Sequence, residues 1–411
     1  MTDFKSLAKR IVKPLVPVSA RAFLRQMQNQ LSMHRAMQEK KKKPPQTLSW
    51  GVTLIGDLNG GSGLAEASRG NLRCMEMAGI PVNAFRMEAN ELRRVNSDKG
   101  ILFVHTNPDQ MFRICQNLPS EQWRGRYVIG EWAWEQETIP ESWIECLPLF
   151  DEIWTPSEFT ARAIRKTTEL PVQVVPHIVH PRCDDNYNRN SFGLPNDLFL
   201  CLIVFDYNSV MERKNPEGAI RAYKLAFRLC KEQVGLVIKA RNLTAQAKHW
   251  IESRLQGWPN IFIINQDFSH EQVNSLIRSV DVYISLHRAE GFGLVMAEAM
   301  RLGTPVVATN WSGNTEFMNA DVACMVDVEM KSLEKDYPPF LKGSRWADPD
   351  IDQAAMFLQK LYEQPEWRSQ LSAVAQESIV SELSEERISK LISTRLCEIK
   401  KQRFERMGWQ K

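Results

Sequence analysis

The chain has 411 residues, 43% hydrophobic and 25% charged, with a formal net charge of +3. Such a length predicts two or three domains, and the composition excludes collagen-like and low-complexity classes. Its eight cysteines form no C-x-x-C pair and read as reduced core residues of a cytoplasmic protein, while no signal peptide and no run of roughly 20 apolar residues is read.

Charge is unevenly placed. Residues 1–43 hold eleven Lys/Arg against Asp3 and Glu39, which leaves the rest of the chain acidic overall. An acidic body argues against nucleic-acid binding. Phe23, Met27 and Leu31 repeat at helical spacing, and Lys40–Lys43 follows. A basic amphipathic helix of this kind reads as a peripheral anchor on an anionic membrane surface, the inner face of a cytoplasmic membrane being the expected one. It also reads as a solubilising tail, or as a helix packed on the body. Pro44-Pro45 sets residues 1–45 apart as a basic tail.

From Leu48 strands and helices alternate. Trp50–Leu58 reads as a strand, 59–63 as a turn and Leu64–Ala78 as a helix. Pro81–Phe85, Ile101–Val104, Tyr127–Trp134, Glu152–Pro156 and Val172–Pro176 read as further strands, with helical segments between most of them. The alternation predicts a parallel, doubly wound sheet. Gly60, Gly61 and Gly63 stand at the first strand-to-helix corner, where backbone amides can meet a phosphate and where any tight corner also uses glycine. His105 ends a strand, on the edge where ligands of such folds gather, although a lone histidine there also serves as a structural residue. Trp132, Trp134 and Glu135 follow; two indoles beside acids make either a sugar platform or core or interdomain packing, with Glu135 an acceptor-side candidate.

The polar, turn-rich stretch Arg182–Asp197 reads as an interdomain linker, after which the alternation restarts. Strands are expected at Phe199–Phe205, Val234–Ala240, Ile261–Asn265, 281–286 and Pro305–Thr309; helices at Pro216–Leu229, from Thr244, at Glu271–Arg278 and at 294–302. Arg213 and Lys214 lie between the first strand and helix of this half, as two cations able to meet a departing anion or as a surface basic pair. Glu290-Gly291-Phe292-Gly293-Leu294 then turns a strand into a helix, with Glu298 in the helix's first turns. Glycines let the backbone approach a ligand, and unpaired amides at a helix start suit a phosphate. Two carboxylates flanking such a turn can grip both ends of one elongated ligand; a nucleotide-sugar has that shape. Gly313 sits in a further loop after a strand. His177 and His180 read as structural, and Asp348-Pro-Asp350 as a helix start rather than a metal motif. Residues 328–346 read as an irregular excursion without an assignable task, and Glu385–Arg406 as a long helix.

Ser285-Leu-His-Arg-Ala-Glu-Gly-Phe-Gly-Leu-Val-Met-Ala-Glu-Ala-Met, followed by Gly303-Thr-Pro-Val-Val-Ala-Thr, resembles the signature of the family-4 (group 1) retaining glycosyltransferases. The resemblance covers most of residues 48–400 and is densest over 198–320. It implies a GT-B fold, two Rossmann-like domains facing across a cleft: 46–190 on the acceptor side, 191–384 on the nucleotide-sugar side, and a helix over about 385–411 crossing back. It implies hexose transfer from a nucleoside diphosphate-sugar, GDP-mannose or UDP-glucose first, without a metal or other cofactor. The acceptor would be a carbohydrate or lipid-linked glycan, as in bacterial surface polysaccharide synthesis. Glu298 would hold the ribose and Glu290 with the amides around 291–293 the sugar. Lys214 would hold the diphosphate, Gly61, Gly63 and Gly313 would line the donor, and His105 would lie near the reacting sugar. The family carries an arginine several residues before the lysine; here that place falls in Tyr207-Asn208-Ser209, so Arg213 or neutral donors would have to substitute. A phosphorylase or hydrolase on the same scaffold, or a non-catalytic sugar-nucleotide binder, are the rival readings.

Overall fold

A computed structural model describes residues 18–45 and 48–407. It contains two six-stranded sheets, in the orders β2-β1-β3-β4-β5-β6 and β12-β11-β10-β7-β8-β9, with parallel neighbours throughout. The first comprises β1 (Ser49–Gly56), β2 (Val82–Arg86), β3 (Lys99–His105), β4 (Tyr127–Glu131), β5 (Glu152–Thr155) and β6 (Val172–Val174). The second comprises β7 (Phe199–Asp206), β8 (Val234–Arg241), β9 (Ile261–Ile264), β10 (Val282–Ser285), β11 (Val306–Thr309) and β12 (Cys324–Val326). Central strands are covered on both faces, which is why they read as unbroken apolar runs: β7 is FLCLIVFD and β8 VGLVIKAR.

Strand order locates the functional edge. The first sheet reverses direction between β1 and β3, the second between β7 and β10, and open α/β sheets bind ligands beyond the carboxyl ends of strands at such points. The Gly60–Gly63 turn follows β1 and His105 ends β3. Lys214 lies in the turn of helix after β7, and Glu290 follows β10.

Three elements tie the halves together. The helix Glu385–Met407 returns to the first domain, laying Ile388, Ile392, Leu396 and Ile399 along one stripe against Cys74 and Met75. The 328–346 excursion is an antiparallel hairpin, β13 (Val328–Ser332) with β14 (Arg345–Pro349). It puts Leu333, Phe340 and Trp346 into the core of the first domain. Asp350 caps the next helix by accepting from the Gln353 amide at 3.0 Å, and Asp348 pairs with Arg288 and Lys331, so both carboxylates are engaged in structure. In the third, Ser157 Oγ donates to the Gly291 carbonyl at 2.6 Å and the Phe159 amide to Glu316 at 3.2 Å, bracing the second domain's glycine loop from the first domain.

Residues 1–17 of the basic tail lie outside the described residues. The helix Val18–Lys40 packs on the body through Met33 and Ala36, with Glu39 paired to Arg124 at 2.8 Å and Lys40 to Asp151 at 3.2 Å. Its C-terminal part therefore buries its apolar face in the protein, the packed alternative. Met27 and Leu31 remain 43% and 63% exposed. Among the described residues no helix is long and apolar enough to cross a membrane.

Candidate active site

A cavity of about 290 Å³ lies between the two switch points. Gly61, Gly63, Lys214, Glu290, Gly293, Leu294 and Glu298 all line it, so residues far apart in the chain share one crevice. Ser62 caps the helix Gly63–Met77 by accepting from the Ala65 amide, which aims that helix's positive end into the crevice from the first domain. The helix Leu294–Arg301 does the same from the second, entered through Gly293 at φ 95°, a left-handed conformation that favours glycine.

Glu290 is the centre of a charge cluster. Lys214 Nζ donates to its Oε1, and Arg213 Nη1 lies 3.2 Å from the same oxygen. Arg213 also donates to the Ala289 carbonyl at 2.8 Å, and its Nη2 lies 3.7 Å from Glu135 of the first domain. Burial by itself would push the Glu290 carboxyl up, but Lys214, Arg213 and His287 together hold it down at about 2. Burial draws the Lys214 ammonium below its ordinary value against the pull of Glu290, and raises the Glu135 carboxyl despite Arg213. The loop is fixed from behind: the Glu290 amide donates to Ser312 Oγ and the Gly313 amide to the Glu290 carbonyl, each at 2.9 Å.

Glu298, 3% exposed, takes His270 Nε2 at 2.7 Å, and His270 Nδ1 stands 3.4 Å from Glu66 of the first domain. Burial lowers the imidazole's affinity for a proton, yet the hydrogen bond and charge of Glu298 and the charge of Glu66 raise it to about 9. His270 is therefore a cation at neutral pH, and one Glu298 oxygen is committed to it.

Several expected site residues stand elsewhere. Arg213 is 5% exposed and lies behind Glu290, outside the cavity lining. Phe292 is core, packed on His177 and Phe317, and Gly291 and Gly313 lie against each other: a Cβ on Gly313 would stand 2.1 Å from the Gly291 carbonyl oxygen. His105 lines an adjoining cavity of about 350 Å³ that shares Ser62. It is 2% exposed, neither ring nitrogen has a hydrogen-bond partner, and burial lowers its pKa to about 4, leaving it neutral at physiological pH.

The sugar platform is corrected. β4 ends at Glu131, short of the predicted Trp134, and Trp132 and Trp134 are 0% and 4% exposed. Trp132 packs edge-on to Trp143 and Phe150, and Trp134 meets Trp143 and Phe340 of the hairpin. No indole face is left for a sugar; the packing alternative holds, with Trp132 in the first domain's core and Trp134 also meeting the hairpin from the second. Sequence reasoning also passed over Glu66, Arg69, Lys239, Arg241 and His270, all of which line the main cavity. Lys239 and Arg241 carried a usable signal, because they close β8 on the ligand-binding edge. His270 and Glu66 carried none, since only folding brings them together.

Two parallel sheets whose switch points share one cavity, with a glycine-bearing turn on each side, define the GT-B architecture. Residues 200–376, within the second domain, match the family model described as Glycosyl transferases group 1. A trehalose synthase of Rubrobacter xylanophilus is 24% identical over 264 residues, a match covering 59% of this chain and 61% of that protein. Among solved structures, sucrose-phosphate synthase of Thermosynechococcus elongatus is similar with a TM-score of 0.65, 15% identity and coverage of 85% and 99% of the two chains. HepE of Anabaena, in complex with UDP and glucose, is similar with a TM-score of 0.61, 12% identity and coverage of 85% and 100%. At these identities the structural likeness speaks to the fold.

Proposed function

We propose that this protein is a retaining, family-4-type glycosyltransferase that moves a hexose from a nucleoside diphosphate-sugar to a carbohydrate or lipid-linked acceptor. One observation carries the reading: Lys214, Glu290 and Glu298 line a single interdomain cavity with both glycine-bearing turns. Glu298 accepts from ribose hydroxyls through the oxygen His270 leaves open. Glu290 and the helix-start amides at 293–295 orient the sugar. Lys214 is released from Glu290 as the diphosphate arrives and neutralises the charge that grows on it as the glycosidic bond breaks. In a same-face displacement the diphosphate oxygen takes the proton of the incoming hydroxyl. His105, neutral, contacts substrate without donating charge, and Glu135 stands on the acceptor side. Arg213 orients Glu290 from behind. The UDP and glucose held by HepE make UDP-glucose the first donor to screen, with GDP-mannose second.

A thermal-shift panel of UDP, GDP, ADP and their hexose conjugates tests the reading. The matching nucleotide at one hundred times its dissociation constant should add about 2.7 kcal/mol of stability. A flat panel at millimolar concentrations refutes it. Hydrolysis or phosphorolysis of the conjugate without any acceptor, at the rate seen with one, would place the protein in the rival class.

A peripheral membrane contact is a second reading, favoured by exposed Met27 and Leu31, one helical turn apart and followed by exposed Lys41, Lys42 and Lys43. Met27→Ser with Leu31→Ser should cut co-sedimentation with phosphatidylglycerol vesicles several-fold while sparing the packed Met33 and Ala36. Unchanged co-sedimentation rejects the contact.

A further inference from the structure

We infer that Arg241 is the second cation of the diphosphate site, acting beside Lys214. The inference rests on the nucleotide-sugar reading above. A departing nucleoside diphosphate concentrates more negative charge than one ammonium offsets, so a site with Lys214 alone is under-charged. The turn between β7 and the helix that carries Lys214 holds Tyr207, Asn208 and Ser209, none of them a cation. Its neighbour Arg213 is held by the Ala289 carbonyl, Glu290 and Glu135, with its guanidinium turned away from the cavity.

The other cations lining the cavity are engaged as well. Lys239, 4% exposed, donates to the Gln266 carbonyl at 2.9 Å. Arg69 grips Glu66 at 2.5 Å and donates to the Gly60 carbonyl at 2.9 Å, where it shapes the glycine turn. His270 lies between Glu298 and Glu66.

Arg241 differs. Its side chain is 43% exposed, and its carboxylate partner Asp267, at 3.4 Å, is 85% exposed. An ion pair so open to solvent contributes about 1 kcal/mol at most, so a phosphate can readily displace it. As the last residue of β8 it sits on the ligand edge, in register with Asp206 of β7. From there it reaches across the cleft: Nη1 lies 2.9 Å from where a Cβ on Gly61 would stand. The guanidinium thus meets the first domain's glycine turn over the cavity that Lys214 lines. Its planar fork of donors matches a phosphate's oxygens two at a time, which a second lysine would not. Gly61 then has a second task, leaving room for this side chain.

The test is titration calorimetry with UDP, GDP, ADP and the matching monophosphates on the full chain and on Arg241→Gln and Arg241→Lys. For whichever base the wild type accepts, Arg241→Gln should weaken the diphosphate about tenfold, a change of about 1.4 kcal/mol, and the monophosphate less than about twofold. Arg241→Lys should recover part of the loss, and an unchanged melting temperature for both variants shows the fold intact. Wild-type affinity for the diphosphate in Arg241→Gln, or equal losses for mono- and diphosphate, overturns the assignment and leaves the transferase reading standing. Failure of the wild type to bind any of the three diphosphates overturns both.

Discussion

Glu290→Ala is expected to reduce sugar transfer at least tenfold, about 1.4 kcal/mol in the barrier, and to destabilise the fold by about 3 kcal/mol. The two losses have separate origins. On the proposed reading, transfer suffers because the carboxylate assigned to orient the sugar is gone. Stability suffers because Arg213 and Lys214, whose side chains are 7% and 24% exposed, lose the one carboxylate they share. Glu135 compensates in part, since it stands 3.7 Å from Arg213, which keeps the expected cost at the lower end for a broken buried pair. A double variant separates the effects. Lys214→Ala with Glu290→Ala removes one unpaired charge together with its partner and should unfold at higher urea than Glu290→Ala alone, while its transfer stays lost. Lys214→Ala alone should also lose at least tenfold in transfer. Near-normal turnover in either single variant removes that residue from the mechanism, and equal urea midpoints for the single and double variants dissolve the charge-cluster account.

Arg395→Leu is expected to cost about 3 kcal/mol of stability without altering the composition of the interdomain cavity. Arg395 lies on the returning C-terminal helix, and its guanidinium meets Glu152 in a two-point pair at 2.7 and 2.9 Å. Glu152 is fully buried and also accepts from Tyr127 Oη and Trp154 Nε1, both at 2.7 Å. Those neutral donors cannot balance a carboxylate cut off from water, so loss of the arginine strands the charge. The pair is one of several polar ties from the returning helix to the first domain, beside Arg73–Glu385 at 3.0 Å and the Ser389 hydroxyl's bond to the Cys74 carbonyl at 2.7 Å. Glu152→Gln in the Arg395→Leu background removes the stranded charge and should restore at least half the loss, as read from urea unfolding. A loss below about 1 kcal/mol in the single variant would mean that water reaches Glu152 and that the pair adds little to the clasp.

Much of this architecture is legible in the residues themselves. Central parallel strands must be apolar on both faces, so β7, β8 and β10 announce themselves as runs, and the glycines between strand and helix mark the corners where a ligand can approach. The spacing of Glu290 and Glu298 about such a corner carries the same information. The end of β4 is less legible: an apolar run continues through Trp134, but the backbone leaves the sheet after Glu131 because the indoles are claimed by Trp143, Phe150 and a hairpin two hundred residues downstream. The excursion at 328–346 is illegible for the same reason, since it covers a surface on another domain.

Local periodicity and turn chemistry, then, were determined by the chain alone, because both depend on neighbours a few residues away. Which charges face the ligand was decided only by folding. Arg213 and Lys214 are adjacent, yet on a helical turn successive side chains diverge by roughly 100°, so one enters the cavity and the other backs Glu290. Arg241 comes to the glycine turn from a different domain, across a gap that no pattern in the sequence measures.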